Sequence, residues 1–138
     1  MNKTAAVGNL SEAKILAAFV EAGYLVSKPF GDGHCYDLVV DNGERLLKVQ
    51  SKTGRLINGA VHFYPRSNSG RWYKATGSRT YEGRVDLIAI YCPETDKVYV
   101  ISPVGLRPCS YYLRVAQPAN NQSNGIRWAA DYELKSLS

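Results

Sequence analysis

Asn42-Gly43 stands between two apolar, β-branched runs, Leu38 to Val40 and Leu46 to Val49. Asn-Gly in that setting is the strongest short-range hairpin signal, because a type I′ turn requires positive φ at both central residues. With Asn42 and Gly43 as the loop, Asp41 faces Glu44 and Asp37 falls opposite Lys48, with Gln50 as its diagonal neighbour. Side chains alternate across a sheet, so Lys48, Gln50 and Lys52 share a face with Asp37. Diagonal neighbours lie about 7–8 Å apart at Cα, and one oxygen-liganded ion at about 2.0–2.1 Å from its ligands can bridge Asp37 and Gln50. Taken alone, the same residues also read as a salt-bridged surface on an ordinary hairpin.

The 138 residues suffice for one domain with a real core and are too few for two comfortable ones, so residues 1–138 are expected to form a single domain. Hydrophobic residues make up 45%, as in ordinary globular proteins, and no apolar run reaches the roughly 18 residues of a membrane helix. The opening Met1-Asn2-Lys3-Thr4 is polar and leads into small residues, which predicts no signal peptide. Cys35, Cys92 and Cys109 are odd in number, widely spaced and match no zinc pattern. They predict a reducing, cytoplasmic setting, with the cysteines acting as buried small hydrophobes.

Charge is concentrated. From Lys52 to Arg84 there are seven cations (Lys52, Arg55, Arg66, Arg71, Lys74, Arg79 and Arg84) against the single acid Glu82, a local +6 in a chain of net +5. Such a segment is the electrostatic footprint of a nucleic-acid partner. The alternative is a solvated loop whose cations serve solubility. Its core, Pro65 to Thr80, is polar, rich in Gly and Ser, and flanked or interleaved by Tyr64, Trp72, Tyr73 and Tyr81. Open loops of this length are mostly functional. A basic insertion around 53–82 therefore supplies the DNA-contact candidates Arg55, Arg66, Asn68, Arg71, Trp72, Lys74 and Arg79. Arginine and lysine suit phosphates, and arginine also reads guanine edges.

Along the chain, Asn9 is placed to cap a helix with Glu12 as its capping-box partner, and Ile15, Leu16, Phe19 and Val20 recur at helical spacing before Gly23 closes the helix. Glu12 lies one turn before Leu16, so its carboxylate is either that box partner or an inward-facing catalytic acid. Strands are expected over Tyr24–Ser27, Ala60–Tyr64, Val85–Tyr91, Lys97–Ser102 and Tyr111–Val115, with a closing helical segment from Ile126 to Tyr132. Asp32 suits a turn, and His34 is either a phosphate-orienting group or a bystander. Asp86, at a strand start, is either a structural partner of Arg84 or Arg79 or a further site acid.

The order of acid, hairpin and Gln50-Ser51-Lys52 resembles the core of the PD-(D/E)XK nucleases, in which an Asp begins one strand and an acid and a Lys lie one residue apart on the next. Gln50 stands where the second acid usually is, as in the branch that includes intron-encoded homing endonucleases. The strings from Gly23-Tyr24 through Gly31-Asp32 to Tyr36-Asp37-Leu38-Val39-Val40, and Asn120-Asn121-Gln122 with Gly125-Ile126-Arg127-Trp128, also resemble that branch, so the likeness spans Gly8 to about Tyr132.

The resemblance implies an α/β, restriction-endonuclease-like core with a mixed central sheet flanked by helices. It further implies a metal-dependent, sequence-specific endonuclease acting on double-stranded DNA. Asp37, Gln50, the backbone carbonyl of Ser51 and Glu12 would be ligands for Mg²⁺ or Mn²⁺, and Lys52 would be the cation that positions water and stabilises the anionic transition state. The other readings are a junction resolvase or restriction enzyme on the same fold, and a DNA-binding module that does not cleave. A chain this small covers little duplex, so a long specific site predicts a homo-oligomer, a dimer or a tetramer.

Overall fold

A computed structural model of the chain describes residues 2–31, 33–65, 81–118, 120 and 125–137. The first element is helix α1, Lys3–Glu21. It begins earlier than the Asn9 cap predicted. Asn2 is the cap, its side chain accepting from the Ala5 N–H at 2.7 Å. Alanines at 5 and 6 carry the helix through Gly8, and Glu12 therefore sits mid-helix, not in a capping box. The C-terminus is as predicted: Gly23 follows the cap Ala22, and Gly23 and Tyr24 donate to the carbonyls of Val20 and Phe19. Ile15 and Phe19 are fully buried, whereas Val20 points to solvent.

Five strands form the central sheet: β1 Leu25–Ser27, β2 Leu38–Asp41, β3 Leu46–Thr53, β6 Leu87–Cys92 and β7 Lys97–Ile101, in the order β1-β2-β3-β6-β7. Among the described strands of this sheet β3 and β6 run parallel and the other pairs antiparallel, so the sheet is mixed, as expected. Parallel neighbours need a long crossover, usually helical. Here the described part of the crossover is β-structure: β4 Arg55–Ile57 and β5 Ala60–Phe63 pair with each other, and β8 Tyr111–Arg114 adds to β5 as a second, three-stranded sheet. The mixed central sheet is as expected, with a helix against one face and the second sheet against the other. Among the described residues α1 is the one α-helix, and the expected closing helix is a single 3-10 turn, Ala129–Asp131.

Two cores result. Leu38, Val40, Val49, Ala89, Tyr91 and Val98 pack against Ile15 and Phe19 of α1. Ile88, Ile90, Cys92, Tyr99 and Ile101 face the other way, onto Val61, Phe63 and Leu113 of the second sheet. Gly54 marks the step between the sheets. A Cβ there would lie 2.7 Å from Val61 Cγ1 and 2.8 Å from Ile90 Cγ2, so only glycine lets the backbone pass this close.

The β2–β3 hairpin is present but its turn is not the two-residue one. Asp41 pairs with Leu46 and Leu38 with Val49, leaving a four-residue loop, Asn42 to Arg45. Gly43 has φ +92° and Asn42 is not among the positive-φ residues, which excludes type I′. Side-chain bonds take over. Asn42 Oδ1 accepts from the Glu44 and Arg45 amides at 2.9 Å each, and Asp41 Oδ1 accepts from Gly43 at 2.8 Å. The register moves by two residues, an even shift that keeps every side chain on its predicted face. Asp37, one step before Leu38, thereby comes opposite Gln50 instead of Lys48.

Candidate active site

Asp37 sits at the threshold of β2, with its own amide bonded to the Val49 carbonyl at 2.8 Å. Its Oδ2 accepts three hydrogen bonds: from Gln50 Nε2 at 2.9 Å, the Ser51 amide at 2.9 Å and Ser51 Oγ at 2.7 Å. Among the described residues no hydrogen bond falls on Oδ1. Gln50 Nε2 also donates to the Ser51 carbonyl at 3.2 Å. The three neighbouring positions 37, 50 and 51 thus form one knot at the end of the hairpin, with the carboxylate as its centre.

Glu12 reaches the same place from α1. It and Asp37 line a cleft of about 200 Å³ with Lys28, Pro29, Gly31, Gly33, His34 and Tyr36. Lys28 Nζ holds Glu12 Oε1 at 2.6 Å. Glu12 thus lines the cleft and is not a capping-box partner. Sequence reasoning missed Lys28, since nothing in periodicity links it to a helix residue sixteen positions away. His34 is in the cleft wall, where its Nε2 bonds the Phe30 carbonyl at 2.8 Å and its ring tilts against Tyr36 at 5.8 Å.

Lys52 is in register with Ile90 and Gln50 with Ile88, so both share the face turned toward the second sheet. The Lys52 ammonium lies 5.1 Å from the centre of the Tyr81 ring, within cation–π range. Tyr81, which flanks the basic loop, is buried in the core.

Of the DNA-contact candidates, Arg55 is described: it opens β4, three residues past Lys52, and pairs with Glu94 at 3.5 Å on an exposed surface. Arg66, Asn68, Arg71, Trp72, Lys74 and Arg79 lie outside the described residues, as does Asp32. Asp86 has a structural position. Its Oδ2 accepts from the Lys48 amide at 2.8 Å, its own amide donates to the Lys48 carbonyl, and Arg45 pairs with it at 3.3 Å. Its described ion pair is thus with Arg45, where the sequence reading had Arg84 or Arg79. Among the cysteines only Cys92 is the buried small hydrophobe expected, and Cys109 is exposed.

The donor set suits a hard divalent cation: a carboxylate, a backbone carbonyl, an amide oxygen and a second carboxylate across the cleft are all oxygen groups. Among the described residues no three His, Cys, Asp or Glu side chains gather into a metal-holding group, so an ion here would depend on the neutral oxygens of Gln50 and Ser51.

A mixed sheet that carries such an acid-hairpin-lysine site, with α1 packed on its opposite face, is the architecture of a nuclease class. Residues 2–135 match the family model described as PD-(D/E)XK endonuclease, and the chain belongs to that family. Its fold is similar to that of the bacterial homing endonuclease I-Ssp6803I, with a TM-score of 0.70 over 96% of this chain and 88% of that one at 22% identity. A second structure, the Holliday junction resolvase Hjc of the archaeal hyperthermophile Archaeoglobus fulgidus, aligns over 78% of this chain and 83% of that one, with 15% identity and a TM-score of 0.47. Comparison with curated protein sequences gives no match.

Proposed function

We propose that this chain is a metal-dependent, sequence-specific endonuclease of the homing type that hydrolyses phosphodiester bonds in double-stranded DNA. It would act as one endonuclease domain with the basic segment around 53–82 as its DNA-contacting insertion. The observation that carries this reading is the knot at Asp37. An acid from one strand is hydrogen-bonded to a glutamine amide and a serine from the next, and shares a small cleft with a helix carboxylate, which gathers oxygen-bearing groups about Asp37, with Lys52 two residues beyond Gln50 on the same face. Family membership supports nuclease chemistry, and the homing role rests on the fold shared with a homing endonuclease.

Asp37, Gln50 through Oε1, the Ser51 carbonyl and Glu12 would hold Mg²⁺ or Mn²⁺. When bound, the ion supplies positive charge at the scissile phosphate. The chain's own groups do the rest. Ser51, through its amide and hydroxyl, fixes the Asp37 carboxylate. Lys28 neutralises Glu12 until the site is loaded. Lys52, resting on Tyr81, holds its charge where the pentavalent phosphate gains negative charge, an interaction stronger in the transition state than in the bound substrate. A long duplex site exceeds what one such chain can cover, which favours a homo-oligomer on two-fold-related half-sites. The test is nicking of supercoiled plasmid and cleavage of a randomised duplex library with Mg²⁺. Cleavage at one recurrent sequence, absent in EDTA and in Asp37→Ala, is expected. Metal-independent binding with no cleavage at any sequence would leave a DNA-binding module instead.

A further inference from the structure

Gln50 Nε2 faces two oxygens at once, Asp37 Oδ2 at 2.9 Å and the Ser51 carbonyl at 3.2 Å. Both are acceptors, so the end of the amide turned toward them must be the NH₂, since the amide oxygen there would set three acceptors against one another. An ion on the same oxygens demands the opposite orientation. An amide nitrogen has no lone pair free for a cation, and its hydrogens carry positive charge, so Gln50 can serve as a ligand only through Oε1. The two conditions cannot be met in one orientation.

We propose that Gln50 is a two-position latch, an inference that rests on the metal-dependent reading above. In the metal-free protein its NH₂ stands in for the cation and ties Asp37 to the Ser51 carbonyl. When an ion enters, the amide turns over about its terminal torsion, releases both oxygens and presents Oε1. That torsion is broad and two-fold in glutamine, so the turn needs no backbone movement. Gln50 is only half-buried, which leaves it room. A glutamate at this position has no such closed state, since its carboxylate would meet that of Asp37. The latch thus keeps the empty site ordered and lowers its affinity for free ions, by up to about tenfold for each of the two hydrogen bonds that must be given up.

The chain has three glutamines, Gln50, Gln117 and Gln122, so selective ¹⁵N labelling of glutamine side chains yields three NH₂ pairs, and the Gln50→Glu variant assigns one of them. In EDTA the Gln50 pair is expected to exchange with water about tenfold slower than a free glutamine amide. Mg²⁺, at concentrations that saturate calorimetric binding lost in Asp37→Asn, should shift that pair and return its exchange to the free rate. In parallel, Gln50→Glu should melt below wild type in EDTA and gain more in melting temperature on adding Mg²⁺. Free-rate exchange of the Gln50 pair in EDTA overturns the latch whatever the metal does, as does an unmoved pair under saturating Mg²⁺. Plasmid cleavage is scored separately. An active nuclease with a fast-exchanging Gln50 loses the latch alone, and a slow-exchanging Gln50 in a chain that neither binds Mg²⁺ nor cleaves keeps the closed position but loses the metal-dependent reading.

Discussion

Ser11 and Thr53 share a hydrogen bond of 2.5 Å between their hydroxyls, and it joins the residue before Glu12 to the residue after Lys52. Ser11 is buried at 2% exposure, the sole polar side chain in the core among the described residues. A helix and a strand that are 42 residues apart in sequence are thereby pinned at the level of the site. Removing either hydroxyl breaks the bond and leaves buried Ser11 or half-buried Thr53 without it, at about 1–3 kcal/mol. Ser11→Ala and Thr53→Val should each lower unfolding free energy by that order in denaturant titrations. The double variant should lose less than the sum of the two, because the second removal frees no new orphan. Strict additivity would mean the pair does not hold the helix to the strand.

Lys52 and Tyr81 make the next prediction. As a cation acting on the transition state, Lys52 should matter to turnover more than to affinity, so Lys52→Ala should abolish cleavage while duplex binding changes by less than about tenfold. The Tyr81 ring, 5.1 Å from the ammonium, holds it by an interaction of about 0.5–2 kcal/mol. Tyr81→Phe keeps the ring face and should cleave near the wild-type rate. Tyr81→Leu keeps an apolar core residue but loses the face, and should lower kcat with KM little changed. Equal kcat in the Phe and Leu variants, both shown folded by thermal melting, would remove Tyr81 from the positioning of Lys52.

The sequence made the strands of the central sheet legible because each is an apolar, β-branched run closed by turn residues, and an even register shift could not disturb which face Asp37, Gln50 and Lys52 occupy. The size of the turn was not legible. Asn42 and Asp41 bond the loop amides with their side chains, and that local competition outweighs the Asn-Gly preference. The second sheet was hidden for a different reason. The sequence shows β5 and β8 as strands but neither β4 nor the departure of all three from the central sheet, which follows the close passage at Gly54. The sequence left Glu12 open between a capping-box partner and an inward carboxylate, and its partner Lys28 depends on how the chain after β1 meets α1 in three dimensions.

The pH dependence of stability should have two independent limbs. Glu94 accepts from the Leu56 amide at 2.8 Å, which chiefly holds its carboxyl below the usual range, with Cys92 and Arg55 assisting. A depressed carboxylate contributes stability that is present above its unfolded pKa of about 4.3 and is lost as pH falls through the folded value. Glu94→Gln should therefore flatten the acid limb of urea-unfolding curves. The change should be small, since the side chain is about a third exposed to screening water. Tyr91 behaves in the opposite sense. Its hydroxyl donates to Asp96 at 2.7 Å, and this bond chiefly pushes its pKa from 10.0 to about 12. That stability is whole below 10.0 and disappears as pH rises through about 12. Tyr91→Phe should lose its share at neutral pH and show no corresponding alkaline loss. An alkaline limb identical to wild type would place that titration elsewhere.

Arg55 carries the prediction about DNA. Its pairing with Glu94 at 3.5 Å is solvent-exposed, and such pairs are worth little, so the guanidinium can change partner when a duplex arrives. β4 follows β3 across the single residue Gly54, which puts Arg55 three residues past Lys52. If it meets a phosphate, the contact releases counterions and contributes about −0.9 to the slope of log K against log salt. Arg55→Ala should then flatten the slope by that amount for each contact in each subunit and weaken all sequences alike. Arg66, Arg71, Lys74 and Arg79 should include both kinds of contact. Those on phosphates should act as Arg55 does, and an arginine on a guanine edge should instead relax one position of the site by about 1–3 kcal/mol. The arginines are better suited than Lys74 to that reading because a guanidinium binds guanine through two hydrogen bonds. A scan of the five in which affinity, salt slope and sequence preference all stay at wild-type values would show the segment to serve solubility alone.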